Sequence, residues 1–249
     1  MLQKIKSNKV TLSIVSHGQF DLIFLLLDDL RKLKKDLDTI IITINIPEKI
    51  NKKKWFKELP ILWIYNETPY GFGKNHNNAF INCKSNYFCI LNPDIRIQGE
   101  VFQNLIIIKE KENINIIGPE VKDMNGIEAI NSRQFPDHFF LLKRILRISQ
   151  KKYFFKETTN VIHTDWLGGM LLIISKKDFT LLNGFDKDYF LYFEDVDICK
   201  RARNMGLTVA QSKHIIVTHQ AQRQSHTNIK YFFYHIKSYY LYFKKHLIF

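Results

Sequence analysis

Short apolar runs alternate with longer amphipathic segments through the first half of the chain. "VTLSIVSHG" (10–18) reads as a strand ending in a polar turn, and "FDLIFLLLDDLRKLKKDL" (20–37) has the length and one-sided charge of a helix. "TIIITINIP" (39–47) and "PILWIYNE" (60–67) predict two more strands. "GKNHNNAFINC" (73–83) predicts a helix, "YFCIL" (87–91) a short buried strand, "VFQNLIIIKEKE" (101–112) a helix and "INIIGPEV" (114–121) a strand. This alternation predicts an α/β fold, with a mostly parallel central sheet flanked by helices. The segment 122–160, basic and aromatic around "HFFLLKRILRISQKKYFF", has no regular period.

Three interruptions carry candidate chemistry. After "YFCIL" the chain turns through Asn92-Pro93-Asp94 and resumes as Ile95-Arg96-Ile97. Pro93 has no amide proton to donate and keeps Asn92 extended, so the ladder stops there. A carboxylate is thereby held at a strand's carboxyl end, where open α/β sheets bind ligands, although the tripeptide alone also reads as a plain turn. In "DWLGGMLLIIS", Gly168-Gly169 lets a backbone approach a ligand or makes a bulge. In "YFLYFEDVDICKRARNMG", Glu194, Asp195 and Asp197 open a helix that ends at Gly206. First-turn acids complement the helix dipole. Behind the aromatic stretch they also have the setting of a carboxylate with a raised pKa that serves as a base.

With 249 residues, 45% of them apolar, the chain can bury a substantial core. Three cysteines (Cys83, Cys89 and Cys199) without C-x-x-C spacing argue against a disulfide framework or a zinc site, and fit a cytoplasmic protein. No apolar stretch is long enough to span a bilayer, and the N-terminal run is too short and polar for a secretion signal. The net charge is +13, and nine Lys/Arg with no acid lie in the last 52 residues, beyond Asp197. Such asymmetry points to an anionic partner near the C-terminal end.

"GFGKNHNNAF", "LNPDIRI", "WLGGMLLIISKKDF", "GFDKDYFLYFEDVDICKRARNMG" and "HQAQRQS", in this order, resemble the family 2 glycosyltransferases. The closest likeness is to the rhamnosyltransferase-like branch that builds bacterial surface polysaccharides, and it covers roughly residues 10–245. It implies a GT-A fold, Mg²⁺ or Mn²⁺, inversion at the anomeric carbon and a nucleotide-diphospho-sugar donor (dTDP-, UDP- or GDP-linked). The acceptor would be a glycan or a lipid-linked saccharide. By the same resemblance residues 1–225 form the catalytic domain, with a donor half (1–120) and an acceptor half (121–225), and 226–249 form a C-terminal amphipathic helix.

Carried onto this sequence, the resemblance makes Asn92-Pro93-Asp94 the counterpart of the family's D-x-D motif. Asp94 would hold the metal, with His219 completing its shell, and Asn92 would touch the ribose or a water. Asp195 would be the catalytic base, with Glu194 positioning base or acceptor and Asp197 acting as a helix-start residue. Ser16, His17, Asn45, Gly73, Asn75 and Arg223 would meet the donor. Trp166, Gly168, Gly169 and Glu194 would meet the acceptor. Many relatives have an Asp where Asn45 stands.

Residues 229–247 carry an apolar stripe (Ile229, Phe232, Phe233, Ile236, Tyr240, Phe243 and Leu247) flanked by Lys230, Lys237 and Lys244. The stripe suits either packing on the protein's own core or a helix lying on an anionic membrane surface, on the cytoplasmic face of the inner membrane. Three other readings compete. A sugar nucleotidyltransferase would need a Gly-rich basic stretch near the N-terminus, which "SIVSHGQFD" does not supply. A nucleic-acid binder fits the charge but has no use for "FEDVD". An inactive paralogue is the third, since one acid of the metal pair is Asn.

Overall fold

Alternation of side chains decides which layers the central strand joins. Tyr87, Cys89 and Leu91 enter one apolar cluster, and Phe88 and Ile90 enter another. A strand buried this way on both faces lies at the centre of a sheet with helices on either side.

The computed structural model describes residues 8–129, 131–137, 156–220 and 229–246. In chain order these form β1 (Val10–Ser16), α1 (Phe20–Arg31), β2 (Leu37–Ile44), β3 (Ile61–Tyr65), α2 (Phe72–Phe80), β4 (Tyr87–Leu91), β5 (Ile95–Arg96), α3 (Val101–Lys111) and β6 (Ile116–Asp123). There follow β7 (Glu128–Ala129), β8 (Ser132–Arg133), β9 (Val161–His163), β10 (Trp166–Leu167), β11 (Leu171–Ser175), α4 (Lys176–Leu181), α5 (Glu194–Asn204), β12 (Val209–His219) and α6 (Ile229–His246). Arg223, together with residues 130 and 138–155 of the irregular stretch, lies outside the described residues.

The main sheet runs β3-β2-β1-β4-β11-β6-β12-β5. β3, β2, β1 and β4 pair in parallel, and β12 pairs in parallel with β6. The reversed members are β11, antiparallel to both β4 and β6, and the short β5, antiparallel to β12. The carboxyl ends of β1, β2, β4 and β12 therefore share one rim with the amino end of β11.

α1 buries Phe20, Leu22, Ile23, Leu26, Leu27 and Leu30 on one side. Burying each such leucine contributes roughly 1.5–3 kcal/mol. The helix expected over 20–37 stops at Arg31, because Leu33 folds back into the core and Leu37 already pairs with Val10. A short 3-10 turn over Lys34–Asp36 makes the connection. On the opposite face α2, α4 and α5 supply Ala79, Phe179, Val196, Ile198, Cys199 and Ala202 to the second cluster, and Tyr242 and Phe243 of α6 join them. Two buried hydroxyls facing this layer find side-chain partners. Ser13 Oγ lies 2.7 Å from His76 Nδ1, and Thr11 Oγ1 lies 2.8 Å from Ser85 Oγ. Burial holds His76 neutral, with its pKa lowered to about 3.

Candidate active site

Asn92-Pro93-Asp94 ends β4 and β5 starts immediately after it, which explains why apolar character resumes at Ile95. Ile95 and Arg96 pair with His219 and Thr218 of β12. The Gln220 amide donates to the Asp94 carbonyl at 2.8 Å. This backbone closure brings His219 Nε2 to 2.9 Å from Asp94 Oδ2, across 125 positions of sequence. Both side chains keep about a fifth of their surface open, at 18% for Asp94 and 22% for His219. Arg96 anchors the turn from below through a 2.7 Å contact with Asp29 on α1.

The other oxygen of Asp94, Oδ1, is buried without a partner. A carboxylate oxygen next to an imidazole nitrogen is a mixed oxygen and nitrogen donor pair that suits a first-row divalent cation, and an unsatisfied oxygen there fits one. Among the described residues no group of three or more His, Cys, Asp or Glu side chains gathers to hold a metal ion. A cation would thus take only two ligands from this pair and the rest from bound oxygens.

The same rim leads directly to Asp195. The Asn92 amide donates to the Met170 carbonyl at 2.9 Å, and the Gly169 amide donates to Asp195 Oδ2 at 3.0 Å. Asp195 Oδ1 accepts from the Val196 amide at 2.9 Å. A Cβ on Gly169 would sit 3.3 Å from the Phe72 ring and 3.6 Å from the Asp195 Cβ, so glycine lets this backbone pass between them. Asp195 stays partly open. Loss of water around it raises its pKa, against the pull of the Gly169 and Val196 amides and the Arg133 guanidinium. Glu194 is buried, with Oε2 unpartnered, and burial followed by repulsion from Asp195 lifts its pKa well above the ordinary value. Adjacent carboxyl groups with raised pKa values are the kind of pair that proton-transfer sites employ.

Asp197 has a different occupation. It is almost wholly enclosed, and its oxygens meet Arg201 Nε at 2.8 Å and His246 Nε2 at 2.7 Å. Arg201 also donates to the Leu182 and Gly184 carbonyls. Asp197 therefore ties the start of α5 to its own next turn and to α6.

Several residues expected at the donor face inward. Asn45 Oδ1 accepts from the Tyr70 amide and from Asn66 Nδ2, each at 2.8 Å. Its Nδ2 lies 3.0 Å from both the Tyr70 carbonyl and His17 Nδ1. Asn75 donates to the Tyr70 and Gly71 carbonyls and accepts from Asn66. Three asparagines thus pin the loop before α2 from within. Gly73 packs against Phe185, whose Cβ would lie 2.6 Å from an added methyl. The Phe72 amide at the start of α2 already donates to the Phe190 carbonyl at 2.9 Å. Ser16 is buried and accepts from the Gln19 amide at 3.3 Å, while His17 stands exposed at the rim.

On the acceptor side, Trp166 is in the wall, donating from Nε1 to the Gln134 carbonyl at 2.8 Å. The Gly168 amide donates to the Asn131 carbonyl at 3.1 Å, and Asn131 Oδ1 occupies the space a Gly168 side chain would need. Arg133, which sequence reasoning passed over, stacks 5.5 Å from the Trp166 ring and acts on Asp195 through its charge. Its only signal was a basic residue in "NSRQFPD", inside the stretch without a period.

No family model matches the chain. It is 27% identical over 247 residues to rhamnosyltransferase WbbL of Escherichia coli K12, covering 92% of this chain and 90% of that one. It is 23% identical over 166 residues to N-acetylglucosaminyl-diphospho-decaprenol L-rhamnosyltransferase of Mycobacterium tuberculosis H37Rv, covering 61% of this chain and 53% of that one. The solved structure of GalNAc-T7 with UDP, GalNAc and Mn²⁺ superposes with a TM-score of 0.67 at 13% identity, over 88% of this chain and 44% of that one. The chain thus spans about half the length of the latter two proteins. The fold is of the GT-A type, and the molecule is a glycosyltransferase. Within that class the chain is similar to rhamnosyltransferases.

Proposed function

We propose that this protein is an inverting glycosyltransferase of surface polysaccharide synthesis (O-antigen, lipopolysaccharide or capsule). It would move a sugar, with rhamnose the leading candidate, from a nucleotide-diphospho-sugar to a saccharide or lipid-linked acceptor. The work would take place in the cytoplasm or at the cytoplasmic face of the inner membrane. One observation carries the reading. A single sheet rim holds the Asp94–His219 pair, and two hydrogen bonds, Asn92 to Met170 and Gly169 to Asp195, tie that pair to a partly open carboxylate.

In this reading an acceptor hydroxyl oxygen bonds to the anomeric carbon as the bond from that carbon to the diphosphate breaks. Asp195 takes the hydroxyl proton, and its raised pKa suits it to do so. A single displacement needs one base and no protein nucleophile, and Asp195 is the one partly open acid of its cluster. Glu194 lies behind it, where a buried carboxyl shapes the base's field. Asp94 and His219 would hold Mg²⁺ or Mn²⁺, which when bound neutralises the departing diphosphate. The UDP and Mn²⁺ held in the GalNAc-T7 structure support a nucleotide-sugar donor and a divalent metal here as well.

The test is turnover of a panel of nucleotide sugars by wild type and Asp195→Asn. The variant should lose at least 10³-fold in transfer while binding donor nearly as tightly, since the base acts in the chemical step. Near-wild-type turnover by Asp195→Asn removes the assignment.

A further inference from the structure

α6 has two faces with opposite fates. Its inner side is fastened to the domain that carries the site. Ser238 Oγ donates to the Leu191 carbonyl at 2.8 Å, and Tyr242 is wholly buried beside Phe193. Lys245 meets Asp188 at 2.7 Å, and His246 meets Asp197. At 100° per residue the opposite side carries Ile229, Phe232, Phe233, Ile236 and Tyr240. These residues are 39% to 71% exposed, although every one of them is large and apolar or aromatic. Lys230, Lys237 and Lys244, spaced by seven, run along one flank of that stripe.

We propose that this outer face seats the protein on an anionic bilayer surface. The inference deepens the glycosyltransferase reading by naming the surface from which a lipid-linked acceptor is presented, and it rests on that reading for its purpose. Among the described residues no helix is long and apolar enough to cross a membrane, so insertion is interfacial. A contiguous exposed apolar face marks a contact surface, and flanking lysines whose stems lie along the apolar layer reach phosphate headgroups. Charge selects the occupant. The last 52 residues hold nine Lys/Arg and no Asp or Glu, so a second copy of the helix would set lysine against lysine, whereas an anionic leaflet offsets them. Geometry adds a purpose. A helix is about 10–12 Å across, so headgroups under the outer face lie about one helix diameter from the Tyr192-Phe193 turn that leads into Asp195.

The experiment is co-sedimentation of the full chain with vesicles of phosphatidylcholine alone or mixed with phosphatidylglycerol. Wild type should sediment with the mixed vesicles, release at high salt and stay in solution with neutral ones. Lys230→Gln/Lys237→Gln should lower the partition coefficient roughly thirtyfold. Phe232→Ser/Phe233→Ser should lower it at least as far, with both variants melting at the wild-type temperature. Wild type remaining in the supernatant overturns the proposal, as does equal binding to both vesicles. A dimer that Phe232→Ser/Phe233→Ser dissolves, without vesicle binding, overturns it in favour of a second copy. Vesicle binding without turnover of any nucleotide sugar would strike the enzymatic reading and leave this surface standing. Turnover in solution without vesicle binding would do the reverse.

Discussion

Gly71→Ala tests whether the glycines before α2 serve a ligand or the packing of the site. An added Cβ at this position would lie 2.4 Å from the Phe190 carbonyl oxygen, 2.7 Å from its Cα and 2.9 Å from its carbonyl carbon. All three are backbone atoms, so no side chain can rotate away. The next amide, of Phe72, donates to that same carbonyl at 2.9 Å, and parting the two segments stretches this bond as well. Overpacking of this kind costs about 1–3 kcal/mol and a weakened buried hydrogen bond about 1 kcal/mol. Restricting the unfolded chain returns about 0.4–1 kcal/mol. The net loss is about 1–3 kcal/mol, which for a chain of this size lowers the melting temperature by about 3–10 °C. Scanning calorimetry of the protein without nucleotide measures it. A melting temperature within a degree of wild type, joined to a large loss of nucleotide affinity, would refute the packing argument and give Gly71 a role in ligand approach instead.

His219→Ala should leave the melting temperature of the free protein nearly unchanged, because the side chain is partly exposed, and should weaken Mn²⁺-dependent nucleotide binding at least tenfold by calorimetric titration. An unchanged titration would remove the metal role. The acid limb of kcat/KM should sit above the ordinary aspartate value of 3.8, because burial raises Asp195 and the base must be ionised. A limb at or below that value contradicts the desolvation argument. Glu194→Gln should gain stability over wild type as pH rises. A carboxyl whose folded pKa is raised lends stability in full below the unfolded value, near 4.5, and loses it as pH climbs through the folded one. The melting-temperature gap between the two proteins should widen from pH 4 to pH 8, and a flat gap rejects this.

Most of the fold was legible because each β-α unit carries its own period. β4 occupies the residues its apolar run marks, and α3 ends within a residue of expectation. Where the reading slipped, long-range pairing had overridden local pattern. "LRKLKKDL" has helical spacing, yet Leu37 is claimed by Val10 of β1. The reversed direction of β11 left no trace in its sequence, since a run such as "LLIIS" reads alike in either orientation. At the site, residue types revealed the chemistry and concealed the partners. Asp94 stood out as an acid at a strand end, whereas His219 was singled out only by the resemblance to the family. Asn45 and Asn75 look the same on paper whether they face a ligand or a loop, and only coordinates show Asn66 bridging them.

The placement of the base is where distant parts of the chain meet. Tyr192 and Phe193 are consecutive non-glycine residues with φ of 70° and 68°, a left-handed pair directly ahead of Glu194-Asp195. Each costs about 1–3 kcal/mol and persists only where its surroundings over-determine it. Here they do. The Phe190 carbonyl is held by α2 through Phe72, the Leu191 carbonyl by α6 through Ser238, and the Phe193 carbonyl accepts from the Asp197 amide in the first turn of α5. A relaxed, right-handed turn at 192–193 would release those carbonyls and rotate the start of α5, carrying Asp195 away from the Gly169 amide. The strain therefore fixes the direction of one carboxylate. It also makes α6, through Ser238 and the rings around Phe193, part of what holds that carboxylate on the rim shared with Asp94.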